Sequence, residues 1–558
     1  MMDVDLTLEP YVSRAEQLFA GTEIVERTPA GLVGTCYGDV IVRARRLAAA
    51  LGGLGIGVGD RVATLCWNTV AHLECYLGVP TGGFVLHTLN FRLPVADLRY
   101  VIGHADDQVV IVDPDQLGLL DEALEGLSGV GHVVVTGPVP DRVGVNIARR
   151  QVHCYADLVA GAVQEYRWPQ LAERQPAGLC YTSATTGRPK GVVYTHRSQV
   201  LHATTMCTAD ALAISERDVI LPMTPFFHAN AWGLPYAAAM TGARLVLPGA
   251  GPTPADIADL IEAHRVTVAA GVPTVWTGVL DAQRARERDF SSLNRIMSGG
   301  SAIPRALAQE FETRYDTVFI QVYGMTEASP CTHICRLPAA MTDRPRDEQL
   351  AVRSMQGRVL PGLQMRLVND AGQVVAPGAG IGEIQLRGPW IADEYYRDDL
   401  NTAAFADGWY SSGDLATVDR HGFVALVDRK KDLIKSGGEW ISSVELENAL
   451  MGHDAVAEAA VVAVPHQRWV ERPYAFVALR PGTGPSAQDL QAHLRERFPA
   501  FWVPDTVRFV DEIPKTGAGK FAKRVLRDLL HAERAHPNND PADPADPAAH
   551  QQPRESPV

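Results

Sequence analysis

Short runs rich in β-branched residues recur along the chain, and helical patterns separate them. Residues 61–65, 109–112, 132–135, 244–247 and 266–269 are runs of this kind. Between them, 40–54 and 254–264 read as amphipathic helices, and a Gly-rich turn over 55–60 joins the first helix to the strand at 61–65. Neighbouring parallel strands need a crossover, which a helix supplies. The alternation therefore predicts α/β architecture, with parallel sheets covered on both faces. From about Gly357 the texture changes. Strand-like runs such as 382–386 sit between turns, and the charged run Asp428-Arg429-Lys430-Lys431-Asp432 follows. A compact α+β segment with a strand over 459–464 then runs to about His531 and has the size of a small domain. Residues 536–558 repeat Asp-Pro-Ala and hold few large apolar side chains, so a disordered tail is expected there.

Composition narrows the function classes. The chain has 558 residues, room for about three or four structural units. Hydrophobic residues at 46% and charged residues at 21% fit neither a disordered chain nor a membrane protein. Lys plus Arg number 51 against 65 acids, and a net charge of −14 argues against nonspecific nucleic-acid binding. Local basic sites for one phosphate-bearing ligand stay open. The eight cysteines are scattered, and no basic-then-apolar segment opens the sequence, so a reduced cytoplasmic location is expected. No apolar run of about 18 residues is present, so no transmembrane segment is expected. Cys331 and Cys335 flank His333 but lack a second ligand pair, which favours ordinary thiols over a metal centre.

Four motifs carry chemistry. Tyr181-Thr182-Ser183-Ala184-Thr185-Thr186-Gly187-Arg188-Pro189-Lys190-Gly191 follows a short strand candidate and is dense in donors, as loops that wrap phosphate oxygens are. It is not a Walker loop. Read alone it is equally a polar surface turn. Val322-Tyr323-Gly324-Met325-Thr326-Glu327 places a carboxylate after a glycine, suited to Mg²⁺ or to capping a helix. Trp409-Tyr410-Ser411-Ser412-Gly413-Asp414 sets an acid beyond a tight turn, with Arg429 fifteen residues on. Pro514-Lys515-Thr516-Gly517-Ala518-Gly519-Lys520 puts a lysine on a Gly-rich loop, either a solvated charge or a cation delivered by loop motion.

In this order, over about residues 30–530, the four resemble the adenylate-forming (ANL) superfamily. Phe226-Phe227-His228-Ala229-Asn230-Ala231-Trp232 and 432–443 look most like its medium- and long-chain fatty acyl-CoA synthetases. Methylthiopropionate-CoA ligases are also similar. The resemblance implies a large N-terminal domain (1–430) of two α/β sheet subdomains plus a small β-rich subdomain. A mobile small α+β C-terminal domain (431–535) and the tail (536–558) follow. It implies an enzyme that joins a small-molecule carboxylic acid to AMP from ATP with Mg²⁺, releasing pyrophosphate, and then passes the acyl group to CoA.

Residue by residue, Thr182, Ser183, Thr185, Thr186, Gly187 and Lys190 would wrap the β- and γ-phosphates. Glu327 would hold Mg²⁺, and Thr326 would contact the α-phosphate. Gly300, Ser301 and Tyr323 would line the adenine pocket, and Asp414 and Arg429 would fix the ribose. Lys520 would neutralise the reacting carboxylate and phosphate. Lys431 would sit at the hinge, and Lys435, Gly437, Gly438 and Trp440 would lie along the CoA arm. His228 would orient the carboxylate and Trp232 would gate the acyl tunnel. Ala184 departs from the family's glycine, so weakened ATP binding is expected. A homodimer is compatible with the resemblance, although the sequence carries no interface signal. Two alternatives stay open: an aryl or cinnamyl-type acid passed to an amine, carrier-protein thiol or small nucleophile, and a nucleotide-binding module without catalysis. Against the latter stand Lys190, Glu327, Asp414, Arg429, Lys431 and Lys520 together.

Overall fold

The computed structural model describes residues 1–163, 165–182, 188–301, 303–398, 402–437, 439–515 and 521–535. Two mainly parallel sheets form its bulk. In a seven-stranded sheet, Arg61–Leu65 lies between Val85–Thr88 and Val109–Val112, parallel to both. Pro176–Tyr181 continues beyond Val85–Thr88, and antiparallel Gly191–Thr195 forms that edge. A nine-stranded sheet carries Val219–Pro222, Arg244–Leu247, Val268–Gly271, Arg295–Ser298 and Val318–Gly324 in parallel, with antiparallel strands at both rims.

Side-chain alternation explains how the sheets are covered. Val62, Leu86, Val109 and Ile111 of the first sheet and Ile220, Leu245, Val268 and Met297 of the second face one shared core. Helices Tyr37–Gly53, Val70–Thr81, His196–Met206 and Leu234–Thr241 fill that core. The alternate residues face outward. Ala63, Leu65, Val110 and Val112 meet helices Val95–Ala105 and Leu117–Ala123. Leu221, Val246, Ala269 and Ile296 meet Pro254–His264, Pro273–Ala285 and Arg305–Tyr315. Strands covered on both faces have to be apolar along their length, which is why these runs read so clearly.

Boundaries follow local chemistry. Helix Pro254–His264 starts where expected because Thr253 and Asp256 form a reciprocal capping box ahead of Pro254. The next strand is Val268–Gly271, two residues later than the expected 266–269. Arg265 is left-handed and Val266 N donates to Ile261 O at 3.1 Å, so these residues close the helix before the strand begins. The first long helix spans Tyr37–Gly53 rather than 40–54, starting from extended Cys36.

A five-stranded antiparallel sheet follows, ending on Tyr410–Val418 and Val424–Arg429. The final sheet begins at Ile434–Ser436 and holds Val456–His466 and Val470–Leu479, with Ser443–Met451, Ala487–Arg495 and Lys523–Ala535 as its helices. A buried polar cluster bridges the short connection between the two sheets. Asp428 Oδ2 accepts from Ser443 N at 2.7 Å and Ser443 Oγ at 2.5 Å. Lys523 Nζ donates to the same hydroxyl at 2.6 Å and pairs with Glu447 at 2.7 Å. Burial works against the Lys523 ammonium, but Glu447, Asp428 and Asp432 outweigh it and hold its pKa above the usual lysine value. Among the described residues, no helix is long and apolar enough to cross a membrane.

Candidate active site

The site lies where strands of both large sheets end, the crevice at which α/β proteins hold ligands. Strand Pro176–Tyr181 delivers Thr182, and Gly191–Thr195 leaves from Lys190. Thr182 N donates to Lys190 O at 2.9 Å, and Lys190 N donates to Thr182 Oγ1 at 3.2 Å. These two bonds tie the ends of the two strands together. Ser183, Ala184, Thr185, Thr186 and Gly187 lie outside the described residues, as do Gly438, Lys520 and the tail.

Strand Val318–Gly324 brings in the second motif. At Gly324 a Cβ would stand 2.1 Å from Pro330 O, so only glycine lets the chain pass. A single 3₁₀ turn, Thr326–Ala328, then turns Glu327 inward, where it is buried. Tyr194 OH donates to Thr326 O at 2.7 Å and Ala392 N to Glu327 O at 2.8 Å, fixing the turn from two sides. Tyr395 OH donates to Glu327 Oε1 at 2.7 Å, and the Lys190 ammonium lies 4.6 Å from the centre of the same ring. One tyrosine thus ties the anion to the cation.

Asp414 and Arg429 are cross-strand partners in the five-stranded sheet. Arg429 Nε lies 3.3 Å from Asp414 Oδ1, while Tyr323 OH donates to Oδ2 at 2.6 Å. Burial, reinforced by the Asp414 charge, pushes the Tyr323 phenol far above its usual pKa and keeps it a donor. Gln321, buried two residues earlier on the same face of the strand, accepts from Ile303 N at 3.0 Å and donates to Ser301 O at 3.3 Å. That side chain holds the Gly300–Ser301 loop beside Tyr323.

His228 precedes an unusual backbone. Ala229, Asn230, Ala231, Trp232 and Gly233 have φ of 41°, 56°, 52°, 54° and 75°, a left-handed turn. Each non-glycine residue there costs about 1–2 kcal/mol, so the surroundings must hold it. Asn230 Nδ2 donates to Gln199 Oε1, both side chains being buried. A Cβ at Gly233 would meet His202 Nδ1 at 2.7 Å.

These groups line one cavity of about 1290 Å³, in which Thr182, Lys190 and Glu327 face Tyr323, Asp414 and Arg429. His228, Trp232, Gly300, Ser301, Thr326 and Lys431 also border it. Burial, together with the Arg429 charge, holds the Lys431 ammonium below the usual lysine pKa. The final unit closes the cavity with Glu447, Glu458, Phe521 and Lys523. Lys515 and Phe521 pair as a bridge on either side of residues 516–520, and Phe521 borders the cavity. Lys435, Gly437 and Trp440 are not brought there. Lys435 and Trp440 face each other on an exposed hairpin, 5.4 Å from ammonium to ring centre, and Gly437 N donates to Trp469 O at 2.8 Å.

Sequence reading missed Tyr194, Gln321 and Tyr395. Gln321 had a signal, being a polar residue inside an otherwise apolar strand; the tyrosines had none. Among the described residues no group of three or more His, Cys, Asp and Glu could enclose a metal. Glu327, with one oxygen engaged by Tyr395, offers a single carboxylate ligand. That donor set suits a hard cation such as Mg²⁺, which takes one or two protein carboxylates and fills its shell with phosphate oxygens and water.

Residues 31–396 match the AMP-binding enzyme family, and residues 445–520 match the AMP-binding enzyme C-terminal domain. A long-chain-fatty-acid–CoA ligase of Thermus thermophilus is 44% identical over 95% of this chain and 96% of its own. A medium-chain-fatty-acid–CoA ligase of Ectopseudomonas oleovorans is 40% identical over 95% of this chain and 96% of its own. Among solved structures, an anthranilate CoA ligase in complex with anthranoyl-AMP superposes with a TM-score of 0.85 at 25% identity, covering 96% of this chain and 99% of that one. Similarity that runs through both units makes this chain a member of the AMP-binding enzyme family.

Proposed function

We propose that the protein is an AMP-forming acid–CoA ligase that activates medium- or long-chain carboxylic acids with ATP and Mg²⁺. The carrying observation is the single cavity that sets Lys190 and Glu327 opposite the Tyr323–Asp414–Arg429 cluster. A carboxylate oxygen of the acid bonds to the α-phosphorus of ATP, the bond to pyrophosphate breaks, and the CoA thiol then displaces AMP from the acyl carbon. Asp414 offers acceptors to a ribose, with Tyr323 and Arg429 fixing its orientation. Gly300 and Ser301, shaped by Gln321, receive the base. Lys190 neutralises phosphate charge, and Thr182 anchors the loop that wraps it. Glu327 holds Mg²⁺, which when bound neutralises charge on the phosphates. Thr326 contacts the α-phosphate, and Lys520 supplies the cation for the approaching carboxylate. Catalysis here is positioning and charge neutralisation, and needs no covalent bond to the protein.

Trp232 borders the cavity with its ring in the shared apolar core, which suits a gate to an acyl chain. The similarity to fatty-acid–CoA ligases favours aliphatic acids. A cytoplasmic location and a homodimer are part of the same proposal. The test is incubation with ATP, Mg²⁺ and a panel of acids, with and without CoA, following pyrophosphate and product mass. Acyl-CoA from C8–C16 acids is the expected result. Pyrophosphate without a CoA product would overturn the acceptor, and activity confined to aryl acids would overturn the substrate class.

A further inference from the structure

Beside Tyr181 and Thr182 lies a second chamber, of about 10 Å³, which the proposed chemistry does not use. His87, Thr88, Asn90, Tyr181, Thr182 and His228 supply its polar lining. His87 and Thr88 end the strand Val85–Thr88, so they stand at the same sheet edge as the root of the loop. Thr88 Oγ1 donates to Phe227 O at 3.2 Å, and the His87 ring lies 5.1 Å from that of Tyr181. One wall of the chamber therefore grips the residues immediately before Thr182 and His228.

The opposite end of His87 is fixed. Its Nδ1 lies 2.9 Å from both oxygens of Asp107, and both side chains are buried. A carboxylate only accepts, so Nδ1 carries the hydrogen and the polar atom left to the ring is Nε2. Nε2 is buried and finds no hydrogen-bond partner among the described residues. Buried ring nitrogens without partners are rare and costly, and each calls for an explanation. A polar chamber of about 10–15 Å³ can hold one water given two to four partners, and this one is about 10 Å³ with polar side chains around it.

We propose that the chamber is a binding site for one water molecule, held by His87 Nε2, that makes the Asp107–His87 pair a positioning device for Thr182 and His228. The pair acts through the water and does not touch substrate. It sets the loop root and the His228 ring in register with each other before the acid arrives. The kinetic arm below rests on the ligase reading; the crystallographic arm does not.

Two side chains separate the ends of His87. Asparagine places an amide near the Nδ1 position, keeping Asp107 and losing the chamber. Glutamine reaches the Nε2 position, keeping the chamber and releasing Asp107. His87→Asn is expected to melt within a few degrees of the parent, leave the KM for ATP within about twofold and lower kcat for pyrophosphate release about tenfold, the scale of a misplaced reacting group. His87→Gln is expected to recover most of that rate. A His87→Asn enzyme with parental kcat, or equal losses in both variants, overturns the proposal. A crystal structure of the unaltered full chain decides it independently of folding or activity. An ordered water about 2.7–3.2 Å from Nε2 and bonded to Thr182 or His228 supports the site. A dry chamber overturns it.

Discussion

Glu327 and Lys190 show how residues far apart in sequence act as one. Each is held by Tyr395, through a 2.7 Å hydrogen bond and a 4.6 Å ring contact. Tyr395→Phe keeps the ring and removes only the hydroxyl. It is expected to lower pyrophosphate release about tenfold and to raise the Mg²⁺ concentration needed for half-maximal rate, because an unheld carboxylate must be ordered as the cation binds. A parental Mg²⁺ titration would contradict this. His202 makes a separate prediction about acid stability. Burial lowers its pKa from 6.5 to about 3, and its Nε2 accepts from Cys331 N at 3.2 Å, a bond that protonation would break. Below pH 6.5 the unfolded chain therefore binds a proton that the folded chain refuses until about pH 3. Stability from this group is complete above 6.5 and lost as pH falls. Between pH 7 and pH 5 the cost of His202→Gln, measured by denaturant unfolding, should shrink by about 2 kcal/mol. Glu327 and Asp414 were legible as acids closing glycine-bearing motifs, and Arg429 as part of a charged run. Tyr395 and Tyr194 were not, since a tyrosine in no motif reads as packing until the fold sets it beside a carboxylate or a carbonyl.

At the level of elements, the connection between the last two sheets rests on a few buried polar groups. Asp428 accepts from Ser443 and Arg429, and it faces the Lys523 ammonium. Asp428→Asn removes the charge and turns an amide toward two donors. Hydrogen bonds to charged groups contribute about 1.5–3 kcal/mol, so nicking of the full chain by protease between 430 and 433 should rise about tenfold or more. An unchanged nicking rate would show that the cluster does not hold this junction. In the sequence Ser442-x-x-Glu445 reads as a capping box with Leu446, Ala449 and Leu450 on the core face. Those three are buried, and Ser442 Oγ accepts from Glu445 N at 3.1 Å, one half of such a box. The Asp428 and Lys523 partnership was not readable from spacing, because it joins residues 95 positions apart through a third side chain. Strand boundaries failed where β-branched residues served as a helix stop, as Val266 does.

Across the whole molecule, the two parallel sheets announced themselves because their strands are buried on both faces, while their sharing of a helix layer did not. Periodicity records that a face is apolar and not which partner covers it. The final unit turns Glu447, Glu458, Phe521 and Lys523 to the cavity and leaves the Lys435–Trp440 hairpin outside. The cavity-facing side suits the first half-reaction. Lys520→Ala should slow pyrophosphate release about 100-fold or more, yet leave thioester formation from supplied acyl-adenylate within a few-fold. Equal losses in both half-reactions would contradict that division. The left-handed turn at Ala229–Gly233 limits how such a molecule can be retuned in evolution. Branched side chains are excluded from several successive positions, and Gly233 has no room for any. The turn is thus a poor place to accumulate variation. New acid preferences are expected from substitutions elsewhere in the cavity lining, which leave the backbone that presents Trp232 intact.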